Sequence, residues 1–201
     1  MNQMTHTVIG ACLTDVLSLE RTFEAALSRQ IHQLLDEPAI ARELRQVHAV
    51  CDRHIAALEL VGYRLDHEPT EVPYHLMRET ASTPQDVAAG GTIAPTEQLT
   101  RDITDDCANL ARAMIGYVTL HTMGLALGEE AVAELARLHF REYTRCTMTL
   151  HGIAPAAVIR HLVEEGQPAD ASVVPDVEES ILDAWRPTLE PMAVSGPGRK
   201  R

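Results

Sequence analysis

The sequence predicts an all-α protein whose body is a four-helix bundle. Three observations predict it. Apolar residues recur at three- and four-residue steps over stretches of about 27 residues, the period of one helix face. Aromatic residues are scarce, 3% of the chain, while Ala, Leu and Val abound, a mix that favours helix over a β-sandwich. The links between the helical stretches are short, then long, then short.

The first helix is predicted from about Val8 to Leu35, with Ile9, Leu13, Val16, Phe23, Leu27, Ile31 and Leu34 on one line. Asp36-Glu37-Pro38 ends it, and Pro38 suits the first turn of the next helix. The second runs from about Ala39 to Leu65, along Ile40, Leu44, Val47, Cys51, His54, Leu58, Val61 and Leu65. A connection from about Asp66 to Thr100 follows, broken by Pro69, Pro73, Pro84, Pro95 and Gly90-Gly91, with room for a short helix over Pro73 to Thr80. The third helix runs from about Thr100 to Leu127 with Ile103, Cys107, Leu110, Met114, Tyr117, His121 and Leu125 on one face. Gly128-Glu129-Glu130 makes a tight turn. The fourth continues to about Leu150, facing inward through Val132, Leu135, His139, Glu142 or Tyr143, Cys146 and Leu150, and Gly152 stops it. Pro155 to Glu165 is predicted as a short fifth helix.

Short links join antiparallel neighbours. A link of about 35 residues is long enough to travel the roughly 40 Å of a 27-residue helix. It lets the second and third helices run parallel. One crossover between two hairpins is the ferritin-like, up-down-down-up arrangement. Residues 1–166 are expected to form this bundle. Residues 167–201 are expected to form a Pro-rich acidic C-terminal tail in which Glu178 to Trp185 makes a helical turn that docks.

Composition narrows the function. With 17 basic against 29 acidic residues the formal charge is −12, which argues against nucleic acid as a partner. Apolar content of 45% with 23% charged is ordinary globular composition. No run approaches 18 consecutive apolar residues, so no membrane span is expected. Met1 to His6 carries no signal-like block, which points to a cytoplasmic protein. Cys12, Cys51, Cys107 and Cys146 form no CxxC pair and are read as reduced thiols. Their spacing excludes a zinc finger but not a mixed-ligand site. There is no GxGxxG, GxxxxGK[ST] or GxSxG pattern.

Candidate chemistry lies where polar groups interrupt the stripes. Glu20 sits on the apolar line of the first helix, and His54 on that of the second with Cys51 three residues before it. On the fourth, His139 and Glu142 are three apart. In di-iron proteins of the ferritin-like type, carboxylates and histidines project inward from facing helices, and i, i+3 spacing places two ligands on one face. Glu20, Cys51, His54, His139 and Glu142 are therefore the candidate metal ligands, for iron, manganese or another divalent ion. The plainer alternative is a buried Glu20 paired with an arginine such as Arg21, Arg53, Arg112 or Arg145. His48, Cys51 and His54 form a softer line that suits zinc or copper only with help from another helix, and His48, His54 and His139 leave a three-histidine zinc site open.

The segment Leu13-Thr14-Asp15-Val16-Leu17-Ser18-Leu19-Glu20-Arg21 resembles the opening helix of the YciF-like ferritin-like stress proteins, which carry L-x-D-L-Y-x-A-E. Ala56-Ala57-Leu58-Glu59 is similar to the end of their second helix. Gly116 to Leu120 and Leu127 to Leu135 are similar to their third-helix end, tight turn and fourth-helix start. The resemblance covers roughly Val8 to Leu162. It implies a four-helix, dimeric, stress-associated bacterial protein of di-iron type. By position, Glu20 and His54 match family ligands and Glu142 matches an acidic position of the fourth helix. The third-helix acidic motif falls on Leu110 and Ala113, which do not bind metal, and the second-helix Glu falls on Val50 or Cys51. The chain thus resembles a divergent member, a homodimer with a degenerate or altered metal site and a non-enzymatic role. The alternative is a working iron, manganese or zinc protein with oxidase or storage activity.

Overall fold

The computed structural model describes residues 3–34, 36–65 and 95–186. Among them the chain is all-helical, with five α-helices and no strand. They are α1 (Gln3–Gln33), α2 (Pro38–Arg64), α3 (Pro95–Leu127), α4 (Glu130–Glu164) and α5 (Val174–Trp185), the last preceded by a 3-10 turn at Ala171–Val173. The predicted short helix over Pro73 to Thr80 lies outside the described residues.

Helices α1 to α4 pack as a ring, α1 against α2 and α3, and α4 against α3 and α2. Pairs of side chains fix the directions. Arg21 meets Glu59 while Glu24 meets His48, so α1 and α2 run antiparallel. Glu20 meets Tyr117 while Gln30 meets Asp106, so α1 and α3 do too. His54 meets Glu142 and Glu37 meets Arg160, which makes α2 and α4 antiparallel. His121 meets the Ala133 carbonyl and Met114 meets Thr147, which does the same for α3 and α4.

The sequence stripes become the core. Ile9, Leu13, Val16, Phe23 and Leu27 of α1 are buried, as are Ile40, Leu44, Val47, Cys51, His54 and Leu58 of α2. Burying one such aliphatic side chain contributes roughly 1.5–3 kcal/mol. Pro38 opens α2 as its composition suggested, since a first-turn residue needs no N–H partner.

Two expectations need correction. The fourth helix does not stop at Gly152, and Pro155 to Glu165 is no separate fifth helix: α4 is continuous for 35 residues with Pro155 inside it. Pro155 leaves the His151 carbonyl without its helical donor, but Leu150, Ile153 and Ala157 stay buried on the core side and hold the helix together. The residue that ends α4 is Gly166, whose φ of 74° is left-handed, with Gln167 N–H bonded to the Leu162 carbonyl. The fifth helix is instead Val174–Trp185, longer than the expected turn, and it rests on α4.

The second correction concerns α3. Its inward line passes through Ile103, Asp106, Leu110, Ala113, Tyr117 and Leu120, and Leu125 is 61% exposed. The buried line continues from Leu120 to Gly124, which abuts Ala133 of α4, and Leu125 lies one residue off it. By windowed hydropathy α3 is also long and apolar enough to cross a bilayer, with a mean hydropathy of 1.2 over its best 18 residues, although no unbroken apolar run showed it. One third of that stretch is buried, against α1 and α4, while Ile115, Val118 and Leu125 stay exposed.

Candidate functional site

The centre of the bundle is polar. Glu20 is fully buried at the middle of α1. Tyr117 of α3 donates its hydroxyl to Glu20 Oε1, and Tyr143 of α4 donates to Oε2. Cys51 of α2 donates its thiol to Oε2 at 3.0 Å. His54 Nδ1 lies 3.4 Å from Oε1. Four side chains from three helices thus close on one carboxylate.

The cluster continues outward. His54 Nε2 lies 2.8 Å from Glu142 Oε2, and Glu142 is about one-third exposed. Arg53 flanks Glu142 at 3.6 Å. His139 stacks on His54, ring centroids 3.8 Å apart. Both ring nitrogens of His54 therefore face carboxylate oxygens.

Burial pushes the Glu20 carboxyl upward, but the bonds and charge of His54, with the two tyrosine hydroxyls, outweigh it. The carboxyl is held below its usual range. Burial and the Glu20 charge push the Cys51 thiol and both tyrosine hydroxyls far up, so all three stay protonated donors. Burial, then the neighbouring His54, lowers His139 to about 3, so its ring is neutral.

All five candidate ligands come together here. Glu20, Cys51 and His54 touch one another, Glu142 joins through His54, and His139 joins by stacking. Of the arginines proposed as partners of Glu20, Arg21 pairs with Glu59 and Arg53 with Glu142. The sequence reading missed the tyrosines, which it counted as ordinary stripe residues. A signal existed: two of the four tyrosines stand at mid-helix, on the same level as Glu20.

The donor set does not fit a di-metal centre. Such a centre needs carboxylates on several helices. Here the buried carboxylate is one, both its oxygens are taken by O–H and S–H donors, and α3 contributes Leu110, Ala113 and Tyr117. What the arrangement does chemically is satisfy a buried negative charge with hydrogen bonds.

A second group lies one helical turn away, on the flank of the α1–α2 hairpin. Glu24, His48 and Asp52 each offer a ligand atom, all within 4.8 Å of one another. They are half-buried to exposed.

Fold and site together define an all-helical bundle protein with a carboxylate–imidazole cluster at its centre. The family model DUF892, described as a domain of unknown function, matches residues 6–163, and the chain belongs to this family, which is ferritin-like. No curated protein and no solved structure matches it.

Proposed function

We propose that this chain is a YciF-like, ferritin-like protein whose central metal site has become a closed hydrogen-bond cage. Its role is then that of a non-enzymatic, stress-associated binding or scaffolding protein of the cytoplasm. One observation carries the reading: both oxygens of Glu20 are taken by the hydroxyls of Tyr117 and Tyr143. The antiparallel pairings of α1 with α3 and of α2 with α4 support the up-down-down-up topology. The stress association rests on the likeness of Leu13 to Arg21 to the family's opening helix. Residues 1–166 form the bundle domain in this reading, and 167–201 an appended tail whose α5 rests on α4.

A homodimer belongs to the same proposal. From Ala113 to Gly128 no residue is charged, in a chain of net charge −12. On the outer side of that stretch Ile115, Val118 and Leu125 are exposed. Anionic lipids and nucleic acids are repelled by the molecule as a whole, whereas a second copy meets this face with an uncharged one. Sedimentation should give a dimer, and Ile115→Glu should give a monomer.

The test of the central reading is elemental analysis of tag-free protein, before and after anaerobic iron loading, with Glu20→Ala beside it. The expected result is no metal that depends on Glu20. Stoichiometric iron, manganese or zinc lost on Glu20→Ala would replace this reading with that of a working metal protein using Glu20, Cys51, His54, His139 and Glu142.

A further inference from the structure

His48 is held at both ends of its ring. Nε2 lies 2.8 Å from Glu24 Oε1, across the α1–α2 interface. Nδ1 lies 3.2 Å from Asp52 Oδ2, one turn along α2. The ring is 23% exposed, Glu24 31% and Asp52 54%, so solvent reaches the group without surrounding it. Among the described residues neither carboxylate is paired with an arginine.

The two nitrogens have different work available. An imidazole binds a metal through one nitrogen and commonly gives its other N–H to a carboxylate, which fixes the tautomer and raises the basicity of the ligating nitrogen. Asp52 already stands at Nδ1. On the other side, Nε2 and Glu24 Oε1 are spaced nearly as two ligands of one metal are. With metal–ligand bonds of about 2.0–2.1 Å at tetrahedral angles, such ligands lie roughly 3.3 Å apart. An ion in place of the shared proton needs only a small side-chain adjustment.

We propose that Glu24, His48 and Asp52 form a divalent transition-metal site that clips α1 to α2. Glu24 and His48 Nε2 are the ligands, Asp52 orients the imidazole, and water completes the shell. An imidazole with a carboxylate is a borderline donor set of the kind zinc takes. Two protein ligands and open positions make the ion exchangeable rather than permanently built in. The site is separate from the central cage, whose carboxylate is enclosed by its own donors. Ion binding at this clip is independent of whether the cage holds a metal.

The test uses the full, tag-free chain stripped with chelator and titrated with zinc by calorimetry, with cobalt as a spectroscopic probe. The wild type should take up one ion with micromolar affinity. At a zinc concentration about 100 times the dissociation constant, its thermal midpoint should rise by about 5 °C. His48→Gln should abolish uptake, the cobalt spectrum and the midpoint shift. Asp52→Asn should weaken binding about 10- to 100-fold while leaving the metal-free midpoint nearly unchanged. Equal zinc affinity in wild type and His48→Gln would overturn the proposal, as would no uptake at millimolar zinc. An ion lost in Glu20→Gln but kept in His48→Gln would overturn it too, and would separately overturn the metal-free reading of the cage. Loss in His48→Gln alone supports the clip and leaves the cage reading intact.

Discussion

The imidazole of His139 lies flat on that of His54, ring centroids 3.8 Å apart and planes 10° from parallel. Burial, and then the neighbouring His54, holds the His139 ring neutral. Its Nδ1 is buried without a hydrogen-bond partner. His54, by contrast, bonds two carboxylates.

The two histidines should therefore respond differently to the same substitution. His139→Phe keeps a flat ring for stacking and removes a buried nitrogen that lacks a partner. It should change stability by no more than about 1 kcal/mol. His54→Phe strips Glu20 of one partner and Glu142 of another, and should cost about 3–5 kcal/mol. Urea unfolding of both variants measures the difference. Equal losses would mean that His139 does more than fill space.

Tyr117 and Tyr143 share one carboxylate, so their contributions should not add. Each Tyr→Phe change removes a hydrogen bond to a charged group and should cost about 1.5–3 kcal/mol. With one hydroxyl gone, Cys51, His54 and the remaining tyrosine still hold Glu20. With both gone, one oxygen keeps only His54 and the other only the thiol. The double-mutant cycle should show coupling of about 0.5–3 kcal/mol. Strict additivity would mean that the carboxylate is satisfied in some other way.

Much of this cage was legible in the sequence, because a Glu or His on an apolar stripe breaks a strong period. Glu20, His54 and the level of Cys51 could be read from that break alone. The tyrosines could not, since a Tyr fits an apolar stripe and shows its hydroxyl only once the helices are set against one another. Cys51 reads equally well as ligand, thiol donor or small apolar filler. The continuity of α4 was hidden for a different reason. Gly152 and Pro155 are local breakers, and the burial of Ile153 and Ala157 that overrides them is a tertiary effect. Leu125 is one position off: the buried stripe passes through Gly124, which carries no apolar side chain to signal its contact with Ala133.

That contact gives a paired glycine prediction. A Cβ on Gly124 would lie 2.7 Å from the backbone nitrogen of Ala133 and 2.9 Å from its Cα. Backbone cannot yield as a flexible side chain does, so α3 and α4 would have to part below their tight turn. Gly124→Ala should cost about 1–3 kcal/mol despite the better helix propensity of alanine. At Gly152 a Cβ meets nothing within 4 Å. There Gly152→Ala should stabilise α4 by about 0.5–1 kcal/mol. Thermal midpoints moving in opposite directions are the expected readout, and a gain at Gly124 would refute the close approach.

A last prediction concerns pH and a buried pair far from the cage. Gln30 Nε2 donates to Asp106 Oδ1 at 3.1 Å between α1 and α3, and Asp106 is fully buried. Gln30 Oε1 and Asp106 Oδ2 have no partner. A proton on the Asp106 carboxyl removes a buried charge that a single hydrogen bond leaves under-satisfied. Burial raises the Asp106 carboxyl to about 7, the Gln30 bond works against this, and Asp102 and Asp105 add to it. In the unfolded chain the carboxyl ionises near its ordinary value of 3.8. Between these values the folded state holds a proton that the unfolded state has released. Stability must then fall as pH rises from about 4 to about 7, and level off above. The full loss is on the order of 2–4 kcal/mol. Asp106→Asn keeps the shape and stays neutral. It should flatten this part of the pH profile and be more stable than the wild type at pH 8. Urea midpoints from pH 4 to 8 test it, and parallel profiles for the two proteins would show that Asp106 is ionised in the fold.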